Sequence, residues 1–202
     1  MQEYLQNALV KKLQVGSGPN VLPGWLNTCK NPERPGVFFL DITQPSPFEN
    51  NTFDYVFSEH MIEHMSYPEG LMMLRECNRI MKPGGRIRIS CPDINFLIRL
   101  ANNPTDQDIE YIKWASGHFT PWAPYTDGIF VLNNFVRDFH HIFIYNPKTL
   151  ERSLEMTGFT DFTWHNIKES GDPHLQNLEN DSRMPPGFLQ IETMTVEAIK
   201  PL

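Results

Sequence analysis

Two histidines and a glutamate are spaced closely enough to do chemistry in the stretch SEHMIEH, residues 58–64. His60, Glu63 and His64 form the pattern His-x-x-Glu-His, in which one class of zinc proteases binds its metal. That pattern needs a helix interior, so that both imidazoles share one face, and a third ligand further along the chain. His60 instead follows a predicted strand almost directly. We therefore expect this stretch to hold no metal.

Short apolar runs bounded by turn residues predict five strands in the first half of the chain. They cover residues 12–15, 23–29, 37–42, 53–58 and 86–91. The third run is apolar almost throughout, which predicts burial on both of its faces. A helix is predicted over 68–82, because a Ser66-x-x-Glu69 capping box precedes it and Pro83-Gly84-Gly85 ends it.

The second half of the chain has a different pattern. Residues 94–145 are rich in aromatic side chains and contain helical patterns at 94–102 and 105–116, broken later by Pro121, Pro124 and Gly128, which predicts an insertion or lid. A helix is predicted over 147–156, with Asn146 as its cap and Gly158 after its end, followed by a strand at 159–167. The polar tract 168–187 predicts a long, mobile loop, and alternation over 190–199 predicts a closing strand.

Strands that alternate with crossover segments predict an α/β fold with a doubly wound, mostly parallel sheet. We expect one domain over 1–202, with the insertion at about 94–145. Ligands in such sheets bind at the carboxyl ends of the strands, near the switch in strand order. The segments predicted at those ends are Gly16-Ser17-Gly18, Cys29, Asp41-Ile42, Ser58-Glu59-His60 and Cys91-Pro92-Asp93.

Gly16-x-Gly18 after the first strand is a loop in which the backbone can approach a ligand and offer N–H groups to an anion. The third glycine of a dinucleotide-binding fingerprint is missing, since Asn20 and Val21 occupy that region. The pattern therefore disfavours a pyrophosphate site. A plain tight turn is the alternative.

Composition and charge exclude several classes of partner. The net charge of -7 without a Lys/Arg cluster disfavours nucleic acid. No apolar run is long enough to span a bilayer, and the first residues have no export signal, which together predict a cytoplasmic protein without a membrane partner. Cys29, Cys77 and Cys91 include no Cys-x-x-Cys pair, which predicts reduced thiols. No pattern indicates an oligomeric state.

Aromatic side chains of the insertion favour a second apolar core over the roof of an acceptor pocket, because aromatic residues pack more often than they recognise ligands. His118, His140 and His141 are candidate bases by residue type. Only His60 also has a position at a strand end.

Four segments share a further pattern: LQVGSGPNVLPGWLN, FFLDI, PFENNTFDYVFSEHMIEHM and LRECNRIMKPGGRIRISCPD. Together they resemble class I S-adenosylmethionine-dependent methyltransferases, and most closely the small methyltransferase-11-type proteins. The most specific part is the helix that ends in Lys-Pro-Gly-Gly before a strand. The resemblance covers about 12–93 and resumes over 145–159 and in the final strand.

The resemblance implies S-adenosylmethionine as the cofactor and assigns residues to it. Gly16, Ser17 and Gly18 would pass close to the methionine portion, with backbone amides that meet its carboxylate. Asp41 would accept a hydrogen bond from the adenine amino group, and Ile42 would cover the adenine ring.

The same resemblance places Ser58, Glu59 and His60 on the sulfonium side of the cofactor, next to the transferred methyl. Two positions depart from the family pattern. An acid is usual at Gln14, and the acid that binds both ribose hydroxyls falls on Cys29. Losing that charged, bidentate hydrogen bond would weaken cofactor binding by about 1.5–3 kcal/mol.

The sequence therefore predicts a methyltransferase that acts on a small-molecule acceptor, with His60 as the base for an oxygen acceptor. One alternative is a non-catalytic protein that keeps the fold, with weak or lost cofactor binding, because Gln14 and Cys29 are uncharged. The other is a zinc hydrolase built on His60, Glu63 and His64.

Overall fold

The computed structural model describes all 202 residues and is built on a seven-stranded sheet. The strands are β1 (Lys12–Val15), β2 (Leu26–Cys29), β3 (Val37–Phe39), β4 (Phe53–Glu59), β5 (Met81–Pro92), β6 (Thr160–His165) and β7 (Thr193–Ile199). Their order across the sheet is β3-β2-β1-β4-β5-β7-β6. Neighbours are parallel except in the two pairs that contain β7. The predicted fold class, a doubly wound sheet with an antiparallel closing strand, is confirmed.

Seven α-helices accompany the sheet. They are α1 (Gln2–Asn7), α2 (Tyr67–Ile80), α3 (Ile94–Asn102), α4 (Asp106–Phe119), α5 (Gly128–Arg137), α6 (Pro147–Met156) and α7 (Phe188–Glu192). The predicted capping box of α2 is present, with Ser66 and Glu69 each bonded to the other's backbone. None of these helices has the length and apolar content that crossing a membrane requires.

The main core lies between the sheet and the pair α2 and α6. Alternation along the strands directs Leu13, Val56, Ile87 and Val196 to this face, where they join the largest cluster of buried apolar side chains. Full burial of each such side chain is worth about 1.5–3 kcal/mol, so this face supplies most of the hydrophobic stabilisation.

The opposite face of the sheet has an unusual cover. The connection from β1 to β2 spans only residues 16–25 and contains no helix. The tract that follows β6 covers the face instead, with Leu175 and Leu178 packed against Trp25 and Phe57. Because this tract contributes buried side chains, the part predicted as a mobile loop is a packed layer without regular structure, apart from short 3₁₀ turns at Pro173–Leu175 and Asp181–Arg183.

A buried arginine joins that cover to the sheet. Arg88 on β5 is completely buried and donates from Nε to Glu179 Oε1 at 2.7 Å and from Nη1 to Glu197 Oε1 at 2.7 Å. Its Nη1 also donates to the Glu169 carbonyl at 2.8 Å, and Glu179 accepts from the Lys168 amide. Two carboxylates therefore share one guanidinium, and the covering tract is fixed at several points.

The insertion forms a small helical layer of its own. Phe96, Leu100, Tyr111 and Val131 belong to a separate apolar cluster between α3, α4 and α5, as the aromatic composition predicted. Helix α5 was not predicted, because its first residue is Gly128, a residue that usually breaks helices. A Cβ at Gly128 would lie 2.0 Å from the Leu100 carbonyl oxygen, so glycine permits the close approach of α5 to α3.

Two sequence predictions about strands are wrong. β3 is an edge strand of three residues, and Phe38 and Phe39, which point to opposite faces of the sheet, are 36% and 64% exposed, so neither face of this strand is fully buried. The closing strand begins only at Thr193, since residues 190–192 belong to α7.

We expect Arg88→Met to lower the free energy of unfolding by about 3–5 kcal/mol, because it leaves two buried carboxylates without their cation. Arg152→Met is the matched control, since Arg152 forms an exposed ion pair with Glu155 and its loss should cost less than about 1 kcal/mol. Urea denaturation of both variants measures the difference. Equal losses would show that the buried network contributes no more than a surface pair.

The loop after β3 is held to α2 by a carboxylate. Glu76 Oε1 accepts from the Ser46 amide at 2.7 Å, and Oε2 accepts from Arg79 Nε at 2.8 Å. Burial alone would raise the pKa of Glu76, but the hydrogen bonds from Arg79 and Ser46 outweigh it and lower the pKa to about 2.

Because the folded pKa of Glu76 lies below its ordinary value of 4.5, its stabilisation is present above that value and is lost as the pH falls towards about 2. We expect Glu76→Gln to destabilise the protein by about 1–3 kcal/mol near neutral pH and by much less near the folded pKa. Denaturation at a series of pH values, with the exposed Glu110→Gln as control, checks this. A pH-independent loss would contradict the assignment.

Candidate functional site

The loop after β1 brings backbone to the carboxyl edge of the sheet. Gly16 and Gly18 have φ angles of 72° and 48°, in the left-handed region that favours glycine. A Cβ at Gly16 would lie 2.3 Å from Cγ of Met61, so the Met61 side chain rests directly on this backbone. The approach of a ligand to Gly16 stays a prediction, and in this structure the Met61 side chain occupies the space beside Gly16.

Three buried polar atoms at this edge have no hydrogen-bond partner. They are Gln14 Oε1, Ser17 Oγ and Ser58 Oγ, from the neighbouring strands β1 and β4 and the loop after β1. Buried polar groups are satisfied in the great majority of cases. Such a concentration at the ends of two adjacent central strands is typical of a surface that binds a polar ligand.

Asp41 and its neighbours lie at the ends of β2 and β3. Asp41 Oδ2 is 2.8 Å from Lys30 Nζ, and Oδ1 accepts from the Thr43 hydroxyl at 2.6 Å. The hydrogen bonds from Lys30 and then Thr43 hold the pKa of Asp41 below its ordinary value. Cys29 ends β2 half-buried, and the Ile42 side chain is packed in the main core. The roles predicted for these residues towards a ligand stay predictions.

Glu59 ends β4 as a junction between three segments. Its carboxylate accepts from Asn20 Nδ2 and from the Asn180 amide, both at 3.0 Å, and lies 3.6 Å from Arg183. Burial raises its pKa, although Arg183 and these hydrogen bonds oppose the rise. Glu59 therefore ties the Gly16–Asn20 turn and the covering tract to the sheet, a role that the sequence did not predict.

His60 turns the chain away from the sheet. Its φ of 44° is left-handed, and Nε2 lies 2.8 Å from Thr193 Oγ1. Nδ1 lies 3.5 Å from Glu63 Oε1. Burial lowers the pKa of His60 well below its ordinary value, and positive charge on Arg183 lowers it further, so the imidazole is neutral at neutral pH and this contact is not an ion pair.

The His-x-x-Glu-His stretch does not lie inside an α-helix. Ile62–His64 is a single 3₁₀ turn, and His60 precedes it in an irregular conformation. His60 and His64 therefore lack the i, i+4 helical relation that the zinc-protease pattern requires.

A cavity of about 290 Å³ lies beside His60, between the 3₁₀ turn and the insertion. One wall is aromatic and consists of Tyr111, Trp114, Phe119, Phe135 and Phe139. The polar side chains that face it include Glu63, His64, His141, Arg183 and Glu192. The insertion thus supplies both a second core and a pocket wall, where the sequence favoured the core alone.

Glu192 is a cavity residue that sequence reasoning missed, whereas its partner Tyr111 is one of the insertion aromatics for which the sequence favoured a second core over a pocket roof. Glu192 is buried at the end of α7 and accepts a hydrogen bond of 2.6 Å from the Tyr111 hydroxyl. Burial raises the pKa of Glu192 to about 7 and that of Glu63 to about 8. No local sequence pattern could have identified Glu192, because only the tertiary fold brings it next to Tyr111.

Comparison with known families gives one match. Residues 15–89 match the family model described as a methyltransferase domain. No curated protein sequence matches the chain significantly.

Solved structures with a similar fold include methyltransferases. A SAM-dependent methyltransferase from Archaeoglobus fulgidus superimposes with a TM-score of 0.57 at 16% identity, covering 98% of this chain and 89% of that one. A SAM-dependent methyltransferase from Thermotoga maritima, described as a possible histamine N-methyltransferase, gives 0.51 at 16% identity over 98% and 88% of the two chains. Phosphoethanolamine N-methyltransferase 2 of Haemonchus contortus gives 0.50 at 16% identity over 96% and 49%. At these identities the likeness concerns the fold.

Proposed function

Since residues 15–89 carry a methyltransferase domain and the whole chain has the class I S-adenosylmethionine-dependent methyltransferase fold, we propose that the protein transfers a methyl group from S-adenosylmethionine to a small molecule. The observation that carries this proposal is the cavity beside His60. It opens at the end of β4, on the same edge of the sheet as the Gly16–Gly18 turn, which is where the two reactants have to meet.

The residues at the sheet edge fit the cofactor of this family. The unpartnered oxygens of Gln14, Ser17 and Ser58 can bond to the polar groups of its amino-acid and ribose portions. Gly16 and Gly18 let the backbone approach closely. The Met61 side chain has to rotate away from Gly16, which its three flexible torsions allow at low cost.

The cofactor supplies a methyl group on a sulfonium, whose sulfur leaves with the bonding electron pair as the new bond to the acceptor forms. The chain mainly has to align the acceptor with that methyl and exclude water. The aromatic wall excludes water. His60 lines the cavity and is neutral, and we assign it as the base that takes the proton of an oxygen acceptor; with Nε2 bonded to Thr193, Nδ1 is the nitrogen that would accept this proton.

The cavity also limits the acceptor. A volume of about 290 Å³ is at the lower end of the range for small-molecule sites, so a compact molecule fits and a folded macromolecule does not enter. Its apolar body would lie on the aromatic wall, and its polar group would face Glu63 and Glu192.

One observation favours a second candidate, a protein that keeps the fold and has lost cofactor binding. Lys30 occupies one oxygen of Asp41, the residue proposed for adenine, while Gln14 and Cys29 bring no charge. Lys30 is largely exposed, so releasing it from Asp41 costs little. The methyltransferase therefore remains the better-supported proposal.

We expect Asp41→Ala to weaken S-adenosylhomocysteine binding by about 1–2 kcal/mol, the scale of a lost charged hydrogen bond. Asp54→Ala is the matched control, because Asp54 also pairs with a lysine, Lys82 at 2.7 Å, but lies at the start of β4. Calorimetry on the two variants and the wild type measures the affinities. Absence of binding by the wild type at millimolar ligand would leave only the non-catalytic candidate.

We expect His60→Asn to reduce turnover about 100-fold or more on an oxygen acceptor, with S-adenosylhomocysteine affinity nearly unchanged. Asparagine is chosen because it tolerates the left-handed φ at this position. Turnover is measured as S-adenosylhomocysteine released in a mixture of small hydroxyl and amine compounds. His174→Asn, beside Tyr55 and away from the cavity, is the control, and equal turnover in both variants would remove His60 from the chemistry.

A further inference from the structure

Three side chains of the cavity form a cluster that neither binds the cofactor nor takes the acceptor's proton in the proposed reaction, although one of them, Glu63, faces the proposed acceptor. Glu63, His64 and His141 each offer a donor atom, and these atoms lie within 4.8 Å of one another. The rings of His64 and His141 have their centres 5.0 Å apart. Two imidazoles and one carboxylate at this separation are the ligand set of a metal site with open positions.

The backbone holds the cluster together across a long distance in sequence. Glu63 and His64 lie in the 3₁₀ turn after β4, whereas His141 lies after α5. The Ile142 and Phe143 amides both donate to the Glu63 carbonyl, at 2.8 and 3.1 Å. The two ligand-bearing segments are therefore bonded directly to each other.

Both imidazoles have their protonation pattern set by a backbone carbonyl. Nδ1 of His64 lies 3.3 Å from the His140 carbonyl oxygen, and Nδ1 of His141 lies 2.5 Å from that of Phe135. A carbonyl oxygen can only accept, so Nδ1 carries the hydrogen in each ring and Nε2 keeps its lone pair. Histidines that bind metals are oriented in this way by the groups behind them.

The carboxylate of Glu63 supplies an independent observation. It is 1% exposed, lines the cavity, and neither of its oxygens has a hydrogen-bond partner. A buried carboxylate without a partner is unfavourable by several kcal/mol, and it is relieved by a proton or a bound cation.

We propose that Glu63, His64 and His141 bind one divalent transition-metal ion, with Zn²⁺ as the probe. His60 is not a ligand, because its Nε2 faces Thr193, so the site differs from the zinc-protease pattern that the sequence contains. The sequence-based expectation was that the stretch holds no metal, and this proposal differs from it because the third ligand comes from the insertion. Because all three ligands line the cavity, the remaining coordination positions are open to an oxygen or nitrogen atom of a bound molecule.

The test is a calorimetric titration of the chelator-treated 202-residue chain with Zn²⁺. We expect one ion per chain, and at least about 10–100-fold weaker binding in His141→Ala and in Glu63→Gln. His118→Ala is the matched control, since Nδ1 of His118 also bonds to a backbone carbonyl, that of Trp114 at 2.8 Å, but the ring does not line the cavity. Its affinity should equal that of the wild type.

Absence of stoichiometric Zn²⁺ binding by the wild type overturns the proposal, and so does equal affinity in His141→Ala and His118→Ala. Thermal unfolding with and without Zn²⁺ identifies any variant that fails to fold. If His141→Ala fails to fold, Glu63→Gln still tests the site, because it keeps the volume of the side chain. S-adenosylhomocysteine binding, measured on the same preparations, separates the two proposals. Binding of Zn²⁺ without binding of S-adenosylhomocysteine supports the metal site and refutes the methyltransferase. Binding of S-adenosylhomocysteine without binding of Zn²⁺ refutes only the metal site.

Discussion

The carboxyl edge of the sheet depends on the ion pairs that the completely buried guanidinium of Arg88 forms with Glu179 and Glu197. The β1 to β2 connection has no helix, so one face of the sheet would be bare without the tract that follows β6. Glu179 fixes that tract to Arg88, and Asn180 and Arg183, one and four residues later, reach Glu59 at the end of β4. The same short segment thus covers the sheet and delivers a cation to the cavity.

That arrangement explains the unusual electrostatics of the cavity. Glu59, Glu63 and Glu192 are all buried near one another, and burial raises the pKa of each of them. Arg183 is the cation that opposes this rise in all three. Arg183 lies closest to Glu59, so Glu63 and Glu192, which line the cavity, have no paired cation, and a positive group that bound there would replace a proton on them. The proposed metal ion, or the polar part of an acceptor, would supply a partner for these buried acidic side chains.

Elements fixed by local chemistry could be predicted from the sequence. The capping box at Ser66 defined the start of α2, and the glycines defined the turn after β1; the end of α2 was predicted at 82 but lies at Ile80, because Lys82-Pro83-Gly84-Gly85 belongs to β5. β3 was predicted to be buried because apolar residues alone do not show whether a strand is central or at an edge. Helix α5 was missed because Gly128 is required for the close contact between α5 and α3, which a local sequence pattern does not reveal.

Only the part of the candidate site at the sheet edge could be proposed from the sequence, and the metal cluster in the cavity could not. The sequence placed Gly16, Ser58 and His60 at or just after the ends of strands, but it could not bring His141 to Glu63. These two residues are 78 positions apart, and their segments meet through the Ile142 and Phe143 amides.

Met61 lies between the two halves of the site. Its side chain rests on Gly16, and the next three residues form the turn that carries Glu63 and His64. A ligand that reaches Gly16 has to move the Met61 side chain, and Met61 directly precedes the turn. Met61 therefore borders both parts of the site, with its side chain at the sheet edge and its backbone at the start of the turn.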